Sequence, residues 1–488
     1  MPANVEAPGT WLAGAREDWR NLAVNTSRLG TRHVIRLLAV LVPVTFAVPA
    51  LAIDAPDALG PWKVGHRETS VASPPHLPSG ATQFFDIWYP VDNGDWVGAF
   101  TAYFLSELLF ATVEIDSTVA KRDVPVSSTG GRGLIVFSHG SGSVAVQSVV
   151  LVETLASHGF IVVAPTHYFN NSFDTQLGNS QPFLVTARQR PKEGSFSIDY
   201  MFGRNQDNLD DFFGSIDETK VGVTGHSFGG FTADAMASGY TSGFCDTETD
   251  GDYGDACTTG AECISTCSVE AVPADARVKV IMPVSPAHAL LSDTELQSVG
   301  VPTLCMAGSI EALSTQCQRP FPLTQASASP NFRVDVIGAA HEAFANTCDF
   351  GDALIDVGIC PSLSDPLPNP PCDIVTADPA DYTAWASLPG ASALIQPYIN
   401  VCVVPQVPLA EVNRLQSLYT VSMFRRHLLG ETEYDAFLTV AYAATEPSVV
   451  FFPDAFSVPA LTAAGLVLLG GLLAGTAARW TRRRGGAG

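Results

Sequence analysis

The stretch Val221-Gly-Val-Thr-Gly-His-Ser-Phe-Gly-Gly-Phe231 decides the fold of this chain. Its first residues form an apolar strand that ends at Gly225, and a helix-compatible segment follows Ser227. Glycines on both sides of the serine permit a sharp strand-to-helix turn, because a Cβ atom there would clash. The pattern therefore predicts an exposed Ser227 hydroxyl that can attack an acyl carbon. A purely structural turn is the alternative interpretation, since the same spacing also arises by chance.

A second glycine-rich turn lies upstream and supports this interpretation. The apolar run from Gly133 to Phe137 ends in the loop Ser138-His-Gly-Ser-Gly142. Acyl transfer develops an oxyanion that is stabilised by backbone N–H donors, one from the residue after the nucleophile and one from such a loop. We predict that Ser141 and Phe228 supply these donors. An ordinary glycine-rich turn is the alternative.

A serine nucleophile needs a histidine base, and the order serine, acid, histidine along the chain restricts the choice to histidines after Ser227. His341 follows an alternating strand at residues 332–337 and a loop of small residues, so it is the predicted base. His288 comes too early to leave room for a strand that carries the acid. His427 lies beside two arginines in an amphipathic stretch and is interpreted as a surface or capping residue. A loop histidine without a catalytic role is the alternative for His341.

The acid is expected after the strand at residues 301–308, where the chain reads Ser-Ile-Glu311. A carboxylate at Glu311 would orient His341 through its Nδ1–H and stabilise the imidazolium. A solvated loop glutamate is the alternative. Asp293, which begins a helix, and Asp335, which lies within a strand, are the other candidates for the acid.

Strands and helices alternate along most of the chain. We predict strands near residues 62–72, 82–90, 133–138, 160–165, 220–224, 278–284, 301–307 and 332–337, and helices at residues 143–158, 198–215, 229–239 and 409–442. This order predicts an α/β fold with a mostly parallel central sheet flanked by helices, in which ligands bind at the carboxyl edge of the strands. Residues 53–445 are predicted to form one catalytic domain with insertions.

The residues between about 58 and 440 resemble the platelet-activating-factor acetylhydrolase and predicted dienelactone hydrolase branch of the α/β-hydrolases. The resemblance is carried by Gly60-Pro-Trp-Lys-Val-Gly65, Phe85-Asp-Ile-Trp-Tyr-Pro90, Phe137-Ser-His-Gly140, Leu155-Ala-Ser-His-Gly-Phe-Ile-Val-Val-Ala-Pro165, Gly225-His-Ser-Phe-Gly-Gly230 and Phe424-Arg-Arg-His-Leu-Leu-Gly430. It implies an α/β-hydrolase fold and a Ser-His-acid esterase that acts on lipid-like or small acyl esters.

Two departures from the family pattern limit this resemblance. Dienelactone hydrolases use a cysteine nucleophile, so Ser227 argues against that activity. Eukaryotic acetylhydrolases carry their acid after the sixth strand, but residues 283–287 read Pro-Val-Ser-Pro-Ala here and contain no carboxylate. The acidic role is therefore assigned to Glu311, after the seventh strand.

Both ends of the chain are predicted to direct export. Residues 1–52 have the layout of a signal peptide, with arginines before a short apolar run and Ala-Leu-Ala at residues 50–52. A single anchoring helix is the alternative there. In the C-terminal segment 446–488, the uncharged run 456–478 is long enough to span a membrane and precedes four arginines. This segment resembles bacterial C-terminal sorting tags, and a permanent anchor and a transient tag both stay open.

This layout places the enzyme body outside the cell, at the envelope or surface, or secreted after C-terminal processing. The predicted partners are the export and sorting machinery, the membrane through the C-terminal helix, and a small-molecule ester or lipid substrate.

All ten cysteines follow residue 244, which in an exported chain favours disulfides. They lie mainly in an acidic insertion at residues 240–276 and in proline-rich loops at residues 348–405. The insertion resembles a thrombospondin type 3 calcium repeat, and the ligands of a structural Ca²⁺ there would be Asp246, Glu248, Asp250, Asp252 and Asp255. A solvated acidic loop held by disulfides is the alternative. The predicted ester chemistry requires no cofactor.

The net charge of −23 makes nucleic acid an unsuitable partner, because an acidic surface repels phosphate backbones. Two functional hypotheses follow from the sequence. The first is an exported serine ester hydrolase that works through an acyl-enzyme, with lactones or polyesters as alternative substrates. The second is a surface-displayed binding module on a catalytically silent hydrolase scaffold.

Overall fold

The computed structural model of the protein describes residues 53–108, 111–241, 271–312, 315–325, 327, 330–356, 401–402 and 405–454. The predicted signal peptide, the five predicted calcium ligands and the apolar run 456–478 lie outside these residues. Within the described ranges, no helix combines the length and the apolar character that a membrane crossing requires.

Eleven strands of the described residues form one sheet. They are β1 (Lys63–Ala72), β2 (Thr82–Val91), β3 (Phe100–Leu108), β4 (Ala111–Arg122), β5 (Arg132–Ser138), β6 (Ile161–Thr166), β7 (Ile216–His226), β8 (Val278–Val284), β9 (Thr303–Gly308), β10 (Asn331–Val336) and β11 (Val449–Phe452). Their order across the sheet is β11-β10-β9-β8-β7-β5-β6-β2-β1-β4-β3. The six central strands, β5 to β10, run parallel, and β2 and β11 flank them in antiparallel pairs.

Helices cover both faces of this sheet. They are α1 (Val149–Ser157), α2 (Ser172–Gln176), α3 (Phe183–Gln206), α4 (Phe228–Ser238), α5 (Asp293–Gln297), α6 (Pro320–Thr324), α7 (Thr347–Asp356), α8 (Leu409–His427) and α9 (Val440–Ala443). On β5, Ile135 packs in one core with α1 and α8, while Leu134 and Val136 pack in a second core with α3 and α4. Each fully buried aliphatic side chain of this kind contributes about 1.5–3 kcal/mol.

The predicted α/β fold with a mostly parallel sheet is thus confirmed, whereas several element bounds were wrong. The hairpin β3–β4 and the edge strand β11 were not predicted. The helix expected at residues 198–215 lies at 183–206 instead, and residues 207–215 form turns before β7. The helix expected at residues 409–442 ends at His427, and short helical turns follow it.

Two disulfides join described cysteines near the carboxyl edge of the sheet. Cys305 on β9 bonds to Cys317, so this bridge closes the loop that contains Glu311. Cys348, at the start of α7, bonds to Cys402. Disulfides were predicted, but neither of these pairings could be read from the sequence.

Asp234 on α4 is a buried acid that has no hydrogen-bond partner among the described residues. Burial raises its pKa to about 8, because the low-dielectric core disfavours the carboxylate. An unfolded aspartate has a pKa of about 3.9, so the folded state binds the extra proton between these two values. Its stabilising contribution is complete below about pH 4 and is lost as the pH rises through about 8.

We expect the unfolding free energy to fall by a few kcal/mol between pH 5 and pH 8 because of Asp234. The variant Asp234→Asn should lack this decrease, which urea unfolding at several pH values would measure. Asp217→Asn is the matched control, since hydrogen bonds from Thr219 lower the pKa of Asp217 to about 2, outside this range. Equal pH slopes in the wild type and in Asp234→Asn would contradict the prediction.

Candidate active site

Ser227 lies at the corner between β7 and α4, at the carboxyl edge of the sheet. Its backbone has φ 58° and ψ −116°, a strained conformation for a residue with a side chain. The two flanking glycines are needed because β5 approaches closely. A Cβ on Gly229 would lie 1.8 Å from the carbonyl oxygen of Ser138, and one on Gly225 would lie 2.4 Å from it. The predicted strand-turn-helix corner is therefore present, and packing against β5 leaves no room for a side chain at either glycine.

The structure brings Ser227, His341 and Glu311 into one hydrogen-bonded series. His341 Nε2 lies 2.9 Å from Ser227 Oγ, and its Nδ1 lies 3.0 Å from Glu311 Oε2. The Glu311 side chain is fully buried, whereas 26% of the His341 side chain is exposed. Such an arrangement can take a proton from the serine and stabilise the resulting imidazolium.

Glu311 is held by two donors on its second carboxylate oxygen. Its Oε1 accepts hydrogen bonds from Ser285 Oγ and from the N–H of Gly308, both at 2.5 Å. Ser285 immediately follows β8, at the edge where the sequence resemblance led us to expect the acid. The chain therefore places a hydroxyl after that strand and uses it to orient a carboxylate that follows the next one.

The local charges favour a protonated His341. Burial by itself lowers the pKa of His341, but the hydrogen bond and the negative charge of Glu311 outweigh it and raise that pKa above its ordinary value. The nearby charge of Glu342 acts in the same direction. A carboxylate that stabilises an imidazolium in this way makes the imidazole a stronger base.

The two predicted oxyanion donors lie on the segments that flank Ser227. Phe228 is the first residue of α4, where a backbone N–H has no acceptor within the helix. Ser141 follows Gly140 in the loop at residues 138–142, which we call the oxyanion loop. Ser141 is exposed, while the preceding residues of this loop are buried.

A series of hydrogen bonds joins the oxyanion loop to the backbone of His341, the predicted base. The N–H of Gly140 donates to Gln147 Oε1 at 2.5 Å, and Gln147 Nε2 donates to Nδ1 of His226 at 2.6 Å. His226 then uses Nε2–H to donate to the backbone oxygen of His341 at 2.9 Å. Burial lowers the pKa of His226 well below its ordinary value, so this imidazole is neutral and keeps one tautomer.

The other candidates from the sequence make different contacts. Asp293 begins α5 and pairs with Arg319, while Asp335 pairs with Arg333 on the same strand. His288 lies beside Arg319. His427 is the last residue of α8 and is half-buried near the Phe332 ring. Sequence reasoning missed Ser285, Gln147, His226 and the buried residues behind the oxyanion loop. The position of His226 directly before the serine was the one available signal.

One cluster among the described side chains could contact a single cation. The ligand atoms of His66, Glu68 and Asp86, on β1 and β2, lie within 4.8 Å of one another. Protein groups already satisfy them, because Asp86 pairs with His66 at 2.9 Å and Glu68 pairs with Arg122 at 3.3 Å. The sequence-predicted calcium ligands lie outside the described residues.

Comparison with known proteins supports the predicted similarity to the platelet-activating-factor acetylhydrolase branch of the α/β-hydrolases. Residues 56–182 match the family described as platelet-activating factor acetylhydrolase, isoform II. The chain is 26% identical over 270 residues to platelet-activating factor acetylhydrolase of Cavia porcellus, covering 44% of this chain and 58% of that protein. It is 34% identical over 134 residues to the Bos taurus enzyme of the same name, covering 20% and 30%.

The chain therefore spans less than two thirds of the length of these relatives. The family match includes Ser141 but ends before Ser227, Glu311 and His341. None of these matches supports the predicted sorting tag. The catalytic roles of the site residues consequently stay predictions.

Proposed function

We propose that the protein is a serine ester hydrolase that acts on lipid-like or small acyl esters. The observation that carries this proposal is the continuous hydrogen bonding from Ser227 through His341 to Glu311 at the carboxyl edge of a parallel sheet. Two relatives that are named platelet-activating factor acetylhydrolase support the same reaction class.

In the proposed reaction, His341 Nε2 accepts the Ser227 proton while Oγ attacks the ester carbonyl carbon. The N–H groups of Ser141 and Phe228 stabilise the oxyanion of the tetrahedral intermediate. His341 then donates the proton to the leaving alcohol, which releases it and leaves an acyl-Ser227. Water, activated by the same imidazole, hydrolyses this ester and regenerates the serine. Every step uses groups of the protein, so the proposal needs no metal or cofactor.

Apolar side chains beside the oxyanion loop support an acyl or lipid-like substrate. The N–H of Ser172, at the start of α2, donates to the backbone oxygen of Ser143 at 2.9 Å, which places α2 next to the loop. Phe173 on α2 and Leu177, directly after it, are 49% and 58% exposed. Exposed apolar groups near a reactive centre offer contact area for a hydrocarbon chain. Export of the enzyme is part of the proposal, supported by the layout of residues 1–52 and by the disulfides that join described cysteines.

A fluorophosphonate probe tests the proposal directly. We expect stoichiometric labelling of Ser227, located by peptide mass spectrometry, and no labelling of Ser227→Ala. A series of p-nitrophenyl esters from acetate to palmitate would then define the acyl length. A folded wild-type protein that is neither labelled nor active would refute the esterase proposal and favour the silent binding scaffold.

A further inference from the structure

Arg190 on α3 is a cation with no exposed surface. A guanidinium stays charged in proteins, and burying a charge is costly unless it is paired and hydrogen-bonded. Glu193, one helical turn later, is also fully buried; its charge acts on Arg190, while its carboxylate contacts Nδ1 of His167 and accepts the N–H of Tyr168. Burial raises the pKa of Glu193, while the N–H of Tyr168 and the charge of Arg190 oppose that shift. The hydrogen bonds that satisfy the buried guanidinium therefore indicate what Arg190 does next to the candidate active site.

The guanidinium of Arg190 holds two consecutive peptides of the oxyanion loop. Nη1 donates to the carbonyl oxygen of His139 at 2.5 Å, and Nη2 donates to that of Gly140 at 2.8 Å. In a planar trans peptide the C=O and the N–H point in opposite directions. Fixing the Gly140 carbonyl therefore directs the N–H of Ser141 away from Arg190. The His139–Gly140 peptide has the same geometry. Its carbonyl oxygen accepts from Arg190, and its N–H, on the opposite side, donates to Gln147.

A second donor completes the restraint on the Gly140 carbonyl. His139 Nδ1 donates to this oxygen at 2.7 Å, because His139 Nε2 is occupied as the acceptor of the His167 N–H at 3.1 Å. Burial lowers the pKa of His139 well below its ordinary value, which keeps the ring neutral. Both lone pairs of the carbonyl oxygen are thus occupied, and the orientation of the Gly140–Ser141 peptide is fixed.

Arg190 also contacts the residue that carries the other predicted donor. The centre of its guanidinium lies 4.4 Å from the centre of the Phe228 ring, a cation–π distance. Asn170 Oδ1 accepts from Nε at 2.9 Å and from Nη2 at 2.6 Å, which fixes the plane of the guanidinium. One buried group therefore touches both segments that supply oxyanion donors.

We infer that Arg190 is a positioning residue that aligns the N–H groups of Ser141 and Phe228 with the oxyanion. This inference rests on the proposed esterase function and deepens it. The donors act on the charge that develops in the tetrahedral intermediate, and Arg190 itself touches neither the substrate nor Ser227 Oγ. Its loss should therefore weaken binding of the transition state more than binding of the substrate.

Arg190→Lys tests this role, because lysine keeps the charge but cannot span two carbonyl oxygens and stack on a ring at once. Rates are measured per active site, counted by exhaustive fluorophosphonate labelling. We expect kcat per site to fall by about 10²-fold, with KM changed by less than about threefold. Affinity for a trifluoromethyl ketone, which forms a tetrahedral adduct with the serine, should fall by a similar factor. The acid limb of the pH profile should keep its midpoint, since His341 is untouched.

Arg204→Lys is the matched control. Arg204 also lies on α3, stacks on a phenylalanine ring (Phe212) at 4.5 Å, and pairs with an acid (Asp210) at 2.8 Å. It makes no contact with the oxyanion loop, so its variant should keep the wild-type kcat per site. If Arg190→Lys fails to fold, Asn170→Ala provides the decisive measurement. It removes the acceptor of Nε and Nη2, together with the Nδ2 donor to Ser141 Oγ, and leaves the guanidinium in place. It should lower kcat per site, whereas Asn170→Asp keeps the acceptor and should restore most of the rate.

The outcomes separate this inference from the proposed function. Unchanged kcat per site in Arg190→Lys, or in Asn170→Ala where the first variant does not fold, would overturn the positioning role while the esterase proposal stands. A lower Tm with unchanged kcat per site would likewise reveal a purely structural role. An inactive and unlabelled wild type would instead refute the esterase proposal itself.

Discussion

Ser227→Ala is expected to reduce ester hydrolysis by about 10⁵–10⁶-fold in kcat, because removing the nucleophile of a serine hydrolase leaves only binding and oxyanion stabilisation. The hydroxyl that it removes lies 2.9 Å from the predicted base. Alanine keeps the Cβ atom, so the backbone strain at φ 58° is the same in both proteins. Stability should therefore change by less than about 1 kcal/mol. Turnover of p-nitrophenyl acetate, with urea unfolding on the same sample, measures both quantities.

Ser298→Ala is the control for this variant. Ser298 is an exposed serine at the end of α5 whose hydroxyl donates to the backbone oxygen of Thr294. Its loss should leave turnover and probe labelling at wild-type values. If a folded Ser227→Ala protein retained more than about a tenth of the wild-type rate, a different nucleophile would be at work.

Glu311→Gln is expected to lower kcat/KM by about 10³–10⁴-fold, because it imposes the wrong tautomer on His341. The donors Ser285 Oγ and Gly308 N–H both point at Oε1, so an amide at position 311 must place its oxygen there. Its NH₂ group then faces His341 Nδ1, which has to accept a hydrogen bond. The imidazole proton consequently moves to Nε2, where it opposes the hydroxyl of Ser227 instead of accepting its proton.

The same variant should shift the pH profile. The base must be neutral to act, so wild-type kcat/KM should rise with pH through a midpoint above about 6.5, since Glu311 raises the pKa of His341. Without that carboxylate, burial is opposed only by the charge of Glu342, and the residual activity of Glu311→Gln should have its midpoint at a lower pH. Steady-state kinetics from pH 5 to pH 9 measure this shift.

Glu342→Gln is the matched control for the acid. It removes one negative charge that also acts on His341 but does not hydrogen-bond to the imidazole. We expect a small downward shift of the midpoint and a rate within about threefold of the wild type. A loss as large as that of Glu311→Gln would show that overall charge, and not the hydrogen bond to Nδ1, sets the rate.

Local patterns in the sequence determined the features that depend on neighbours along the chain. Apolar runs bounded by glycine located eight strands of the sheet, and Gly225 and Gly229 marked the turn that exposes Ser227, because short-range sterics govern both. The candidates His341 and Glu311 followed from the order of strands and loops. The hairpin β3–β4 was not predicted, although Thr112-Val-Glu-Ile-Asp116 on β4 alternates polar and apolar residues; its strands pair with each other and with β1.

Only the tertiary structure decided which polar groups meet inside the core. Residues far apart in the chain, such as Ser285 and Glu311, or Arg190 and Gly140, become partners because the sheet order brings their segments together. No local pattern distinguishes the fully buried Arg190 from the partly exposed Arg204 on the same helix. The physical reason is that the cost of burying a charge or a carbonyl is offset only by hydrogen bonds from other elements, and these exist only once the chain has packed.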